Sequence, residues 1–112
     1  MDDAAFPDTT QKLALYVECQ ARPDKVHETA DFLRQALALV EAEPGTATWF
    51  ALQVGPDRFA IFDTFNNESD REAHLNGEVA KALMARADEL FTVPPQIHKV
   101  DILAALGGLR PL

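Results

Sequence analysis

The sequence has one cysteine, Cys19, one tryptophan, Trp49, and one tyrosine, Tyr16. A single cysteine excludes an intramolecular disulfide and a cysteine-based zinc site. A reducing cytoplasm is therefore the expected location. Basic residues are scarce: 10 Lys and Arg stand against 18 Asp and Glu, a formal net charge of −8. Binding to phosphate needs clustered Lys and Arg, so neither nucleic acid nor an anionic membrane surface is expected as a partner. No apolar run approaches the roughly 20 residues of a membrane span. The opening residues, Met1-Asp2-Asp3-Ala4-Ala5-Phe6-Pro7-Asp8, hold no apolar stretch, so no signal peptide is expected there. His27, His74 and His98 lie on separate segments, with no His-x-x-x-His or His-x-Glu pair, and no metal is expected. Gly107-Gly108 has no helix behind it to cradle a phosphate, and no Gly-x-Ser-x-Gly elbow occurs. No cofactor is expected.

What remains is an ordinary globular composition, 47% hydrophobic and 25% charged over 112 residues, which is room for one domain. Residues 1–11 read as a loose arm, 12–104 as the domain and 105–112 as a loose tail. Lys12 to Gln20 alternates with period two, with Leu13, Leu15, Val17 and Cys19 on one face, and predicts a strand. Lys25 to Glu43 has period 3.6, with Val26, Ala30, Leu33, Leu37 and Val40 in a stripe, and predicts a long helix closed by Pro44-Gly45. Thr46 to Gly55 and Arg58 to Phe65 predict a hairpin across Pro56-Asp57. Ser69-Asp70-Arg71-Glu72 reads as a capping box for a short helix reaching Leu75. Asn76-Gly77 is expected to end that helix through a left-handed residue. Glu78 to Phe91 predicts a further helix and Gln96 to Leu103 a last strand.

The order is β-α-β-β-α-β, an α+β ferredoxin-like arrangement with helices on one face of a four-stranded antiparallel sheet. Both sheet faces carry apolar residues: Phe59, Ile61 and Phe65 point one way, Ala60 and Phe62 the other. Two helices cover only one face. The other is expected to pair with a second copy in a homodimer, since a soluble monomer rarely exposes so large an apolar patch.

The pieces Arg22-Pro23-Asp24-Lys25, Glu43-Pro44-Gly45-Thr46, Phe59-Ala60-Ile61-Phe62-Asp63-Thr64-Phe65, Glu72-Ala73-His74-Leu75 and Pro94-Pro95, in that order, resemble the antibiotic biosynthesis monooxygenase domain family of the dimeric α/β barrel superfamily. The resemblance spans residues 12–104. It implies a homodimer in which each subunit keeps a pocket between sheet and helices. Members include oxygenases of polycyclic phenols or quinols that use neither metal nor flavin. Others degrade haem, and one branch isomerises a small signalling sugar derivative. The haem-degrading branch uses an Asn on its first strand, which Lys12 to Gln20 lacks. Its helical Trp and His positions fall near His74 and Met84. Phe65 stands where the family often has Trp.

Cofactor-free oxygenation needs an electron-rich substrate, an apolar pocket, a base and donors for the oxyanion. A small aromatic substrate and O2 are the expected partners. His74 is the first candidate for the base, because imidazole titrates near neutrality; a surface histidine is the alternative. Asp63, among Phe59, Ile61 and Phe65, is a second base or anchor, or else a structural strand-end carboxylate. Trp49, Phe59, Phe62 and Phe65 are candidate substrate walls, against a reading as core. Tyr16 and Glu18 share a face and orient a substrate hydroxyl or bond across an interface. Arg58, His27 and His98 read as surface or structural residues, and Cys19 as a small buried apolar group. The expected function is a cofactor-independent monooxygenase of a quinol or polycyclic phenol. Its rivals are a non-catalytic ligand-binding dimer and an isomerase.

Overall fold

A computed structural model describes residues 12–106. The expected arm, 1–11, and residues 107–112 of the expected tail lie outside the described residues. Eight elements follow one another: β1 (Leu13–Gln20), a 3-10 turn (Pro23–Lys25), α1 (Val26–Glu41), β2 (Thr46–Gln53), β3 (Arg58–Phe65), α2 (Glu68–Leu75), α3 (Glu78–Leu90) and β4 (Gln96–Asp101). The four strands form one antiparallel sheet in the order β2-β3-β1-β4. This is the ferredoxin-like fold that the alternation of periods two and 3.6 predicts.

The register sorts the two faces. On the helix side, Leu15 of β1, Asp63 of β3 and Trp49 of β2 lie in one cross-strand row. The next row holds Val17 and Ile61, and the one after it Cys19 and Phe59. Against these rows α1 buries Thr29, Leu33, Ala36 and Val40, and α3 buries Val79, Leu83 and Leu90. The core is thus Val17, Cys19, Leu33, Phe59, Ile61, Leu83, Leu90 and Phe91, with a smaller cluster of Ala36, Val40 and Val79. Trp49 packs against both. Each buried Val, Leu, Ile or Phe among them contributes about 1.5–3 kcal/mol by leaving water. The thiol of Cys19 is buried here, and burial pushes its pKa up to about 12.

Three local expectations are corrected. No Ser69 capping box forms. Asn67 is the N-cap, its Oδ1 accepting from the Asp70 N–H at 2.8 Å, because the chain turns helical at Glu68, one residue before Ser69. Glu72 is left to pair with Lys99 Nζ at 2.7 Å. Asn76-Gly77 does not use a left-handed residue, since φ is −103° at Asn76 and −90° at Gly77. The break comes from hydrogen bonds back to Glu72 and His74, and the glycine leaves room for an arriving side chain: a Cβ on Gly77 would lie 2.8 Å from Glu43 Oε2, which would have to shift. β4 ends at Asp101 rather than Leu103, whose side chain is fully exposed.

The short α2 buries a polar face, Arg71 and His74. Arg71 Nη1 donates to the carbonyls of Ala14 on β1 and Val100 on β4, each at 3.3 Å, and Nη2 meets Glu68 at 2.6 Å. This buried guanidinium ties the helix to the sheet one turn before His74. Arg71→Leu removes charged hydrogen bonds to two strands. Urea denaturation is expected to show a loss of about 2–4 kcal/mol; a change within about 0.5 kcal/mol contradicts the tie.

Candidate functional site

His74 is buried, with 7% of its surface exposed, because Arg71 and the Asn67 cap hold α2 with that side chain turned toward β3. Both ring nitrogens meet carboxylates. Nδ1 lies 2.6 Å from Glu43 Oε1, in the loop between α1 and β2, and Nε2 lies 2.9 Å from Asp63 Oδ2 on β3. Thr46 donates its hydroxyl to the same Glu43 oxygen at 2.8 Å. The Phe65 ring centroid is 5.4 Å from the imidazole centroid. The outcome is a carboxylate–imidazole–carboxylate row drawn from a loop, a helix and a strand.

The two ends of the row differ. Glu43 accepts well-directed hydrogen bonds. Asp63 is fully buried, and neither of its oxygens receives a well-aligned hydrogen bond from the described residues, so its contact with His74 is held by charge more than by alignment. Burial pushes the Asp63 carboxyl above its ordinary range, against the pull of His74. For His74, burial opposes the cationic form, but Asp63 and then Glu43 outweigh it and raise the imidazole above its ordinary value. The row titrates as a unit, and it holds its proton to higher pH than a free histidine does.

Beside Glu43 and His74 opens a cleft of about 360 Å³ between the end of α1, the loop through Gly45 and the junction of α2 and α3. Leu39, Ala42, Pro44 and Ala73 supply its apolar wall. Glu43 and His74 are the members of the row that reach it. Because both ring nitrogens are engaged, His74 has no lone pair free for an incoming proton while its two contacts stand. Of the row's members, Glu43 is the most exposed, with 19% of its side-chain surface open against 7% for His74.

The sequence candidates separate into two groups. His74, Asp63 and Phe65 meet, and Trp49 stands beside Asp63 in register, its indole Nε1 buried without a hydrogen-bond partner among the described residues. Phe59 and Phe65 are packed in the interior. Tyr16 and Phe62 lie on the opposite sheet face, in the row Phe50–Phe62–Tyr16–His98, away from His74. His98 is half exposed there, 3.8 Å from Glu18. Glu43, Thr46, Asp70 and Gly77 enter the sequence analysis only through the family resemblance or as helix-end signals, not as site candidates. The available signal was Glu43-Pro44-Gly45-Thr46 itself, a charged residue fixed beside a Pro-Gly turn, where loops commonly carry function. Among the described residues no group of His, Cys, Asp or Glu is arranged to hold a metal ion, and no helix is long and apolar enough to cross a membrane.

No family model matches the sequence, and neither does any curated protein. Solved structures do. A second Nitrosomonas europaea protein besides the relative given below, proposed to be an antibiotic biosynthesis monooxygenase, superposes with a TM-score of 0.75 at 18% identity, over 87% of this chain and 95% of that one. A structure described as an antibiotic biosynthesis monooxygenase gives 0.70 at 13% identity, over 82% of this chain and 99% of that one. The fold is therefore that of the antibiotic biosynthesis monooxygenases, as the sequence resemblance implied. The chain belongs to the family of a Nitrosomonas europaea protein of unknown function, with which it shares 53% identity over 85% of its own length and 92% of the other, at a TM-score of 0.83.

The raised imidazole gives a signed expectation. Stabilisation from the charged row is complete below the unfolded histidine value of about 6.5 and is lost as pH rises through the higher folded value. Histidine NMR should show the His74 ring titrating above the ordinary value of about 6.5, with unfolding free energy falling as pH rises through the same interval. A ring that titrates at or below the ordinary value contradicts the row.

Proposed function

We propose that the chain is a monooxygenase that uses neither metal nor organic cofactor and oxidises a quinol or electron-rich phenol in the cleft beside Glu43. The unit that performs this is residues 12–104, and a cytoplasmic location fits its one buried, unpaired thiol. The observation that carries the reading is a buried imidazole clamped between two carboxylates at the wall of an apolar cleft. Triplet oxygen reacts slowly with closed-shell molecules, so the substrate must become an electron donor first. The phenolic O–H passes its proton to Glu43, moving negative charge from carboxylate to substrate without increasing the total. His74 and Thr46 remain as donors beside the transferred charge. A quinol then supplies all four electrons that O2 takes up. Two come from its conversion to a quinone, and two from a ring C–H that becomes C–OH. One oxygen atom enters the ring and the other leaves as water. The volume, about 360 Å³, is near the lower end of the roughly 300–1,000 Å³ of ligand sites. A one- or two-ring substrate fits better than a larger polycycle.

A second reading, ligand binding without turnover, draws on Phe59 and Phe65: both are packed as core instead of lining an open chamber between sheet and helices. Oxygen-electrode assays over a panel of uncharged quinols separate the two. Uptake is expected, and Glu43→Gln and His74→Ala should each lower it by roughly 100-fold or more while circular dichroism stays unchanged. No uptake from any quinol, or uptake indifferent to both substitutions, sinks the oxygenase reading. Product formed under argon points to an isomerase.

We further propose that the working form is a homodimer closed through the helix-free sheet face. Phe50 on that face is 51% exposed, and it adjoins exposed Leu52 and the Phe62–Tyr16–His98 row. Sedimentation equilibrium should give twice the 12.3 kDa chain mass, and Phe50→Lys should return it to one chain. A monomer at micromolar concentration overturns the dimer.

A further inference from the structure

We infer that the ligand of the cleft beside Glu43 carries no negative charge: an uncharged or amine-bearing aromatic enters, and a carboxylate, sulfate or phosphate is turned away. This rests on the cleft being the ligand site of the proposed function, and it narrows the substrate class.

Glu43, Asp70 and Glu78 line the cleft, and among the described residues no Lys or Arg does. The single cationic group on its wall, His74, is already compensated on both sides by Glu43 and Asp63. With His74 protonated, its charge is taken up by the row, and Asp70 and Glu78 leave the cleft net negative. The start of α3 opens on the same cleft, and helix starts attract anions. Glu78 stands in that first turn, and Glu43 reaches Gly77 just before it.

The acids are built into the cleft walls. A Cβ on Gly45 would lie 2.6 Å from Asp70 Oδ1, and a Cβ on Gly77 would lie 2.8 Å from Glu43 Oε2. Neither glycine has a left-handed backbone, so what each provides is room for a carboxylate from the opposing segment. The loop after α1 sends Glu43 to the α2–α3 junction, and α2 sends Asp70 to the loop. Acids cross both rims, and a side chain at either glycine would require the crossing carboxylate to shift.

A ligand anion in this cleft loses hydration, meets no uncompensated cation among the described residues and faces like charges in a medium less polar than water. The chain's net charge of −8 acts in the same direction at longer range. A neutral ring loses nothing of this kind and gains the apolar wall of Leu39, Pro44 and Ala73. A terminal ammonium gains the acids.

The test uses three probes with one phenol ring and one para chain: tyramine, 4-ethylphenol and 4-hydroxyphenylacetate. Binding to the full chain at pH 7 is followed by the amide NMR shifts of Gly45 and Gly77. Tyramine and 4-ethylphenol should bind at least about tenfold more tightly than 4-hydroxyphenylacetate. The tyramine advantage should shrink with added salt and in the Asp70→Asn/Glu78→Gln double variant. Acetate-chain binding equal to that of 4-ethylphenol overturns the inference. So does the absence of any shift at Gly45 and Gly77 up to about 10 mM probe. Oxygen uptake is measured separately on uncharged quinols, so the charge preference and the oxygenase reading fail independently.

Discussion

One imidazole between two carboxylates organises this domain. His74, on α2, joins the strand that precedes it to a loop that lies 31 residues earlier in the chain. An unpaired carboxylate at Asp63, inside the core, would be costly. The His74 cation offsets that cost, and Glu43 and Thr46 complete its surroundings. The same arrangement fixes the loop after α1, and therefore the shape of the cleft. Folding and site geometry therefore share these atoms: the contacts that shape the cleft also help to seat α2 on the sheet.

The division of the sheet follows from alternation along its strands. Odd-numbered residues of β1 and β3 meet the helices, and even-numbered ones face away. The buried side collects aliphatic and aromatic side chains around one ionic row. The other side keeps Ala14 and Ala60 small and fully shielded by larger neighbours, with aromatic rings rising between them.

Much of the architecture was legible in the chain itself, because it lies in short-range periodicity. Leu13 to Gln20 alternates, Val26 to Val40 repeats every three to four residues, and Pro56-Asp57 separates two β-rich runs. These patterns place every strand and helix to within a few residues. The misreadings came from choices between equivalent local signals. Asn67 and Ser69 are both good caps, and only the path of the chain out of β3 selects the former. Glycine at position 77 suggested a left-handed bend, but the need is clearance for a carboxylate that arrives from 34 residues earlier. The pairing of Glu43 with His74 was hidden for the same reason: no periodicity records a contact made across 31 residues. α2 also escapes a search for apolar stripes, because the face it buries is Arg71 and His74.

Cys19 carries a consequence of a different kind. Its sulfur is enclosed by the packed interior, and burial lifts its pKa far from the range in which thiolates form. Alkylating reagents reach it only when β1 parts from the helices. The rate of its modification is therefore a clock for transient opening of the molecule, supplied by the natural sequence with no introduced label.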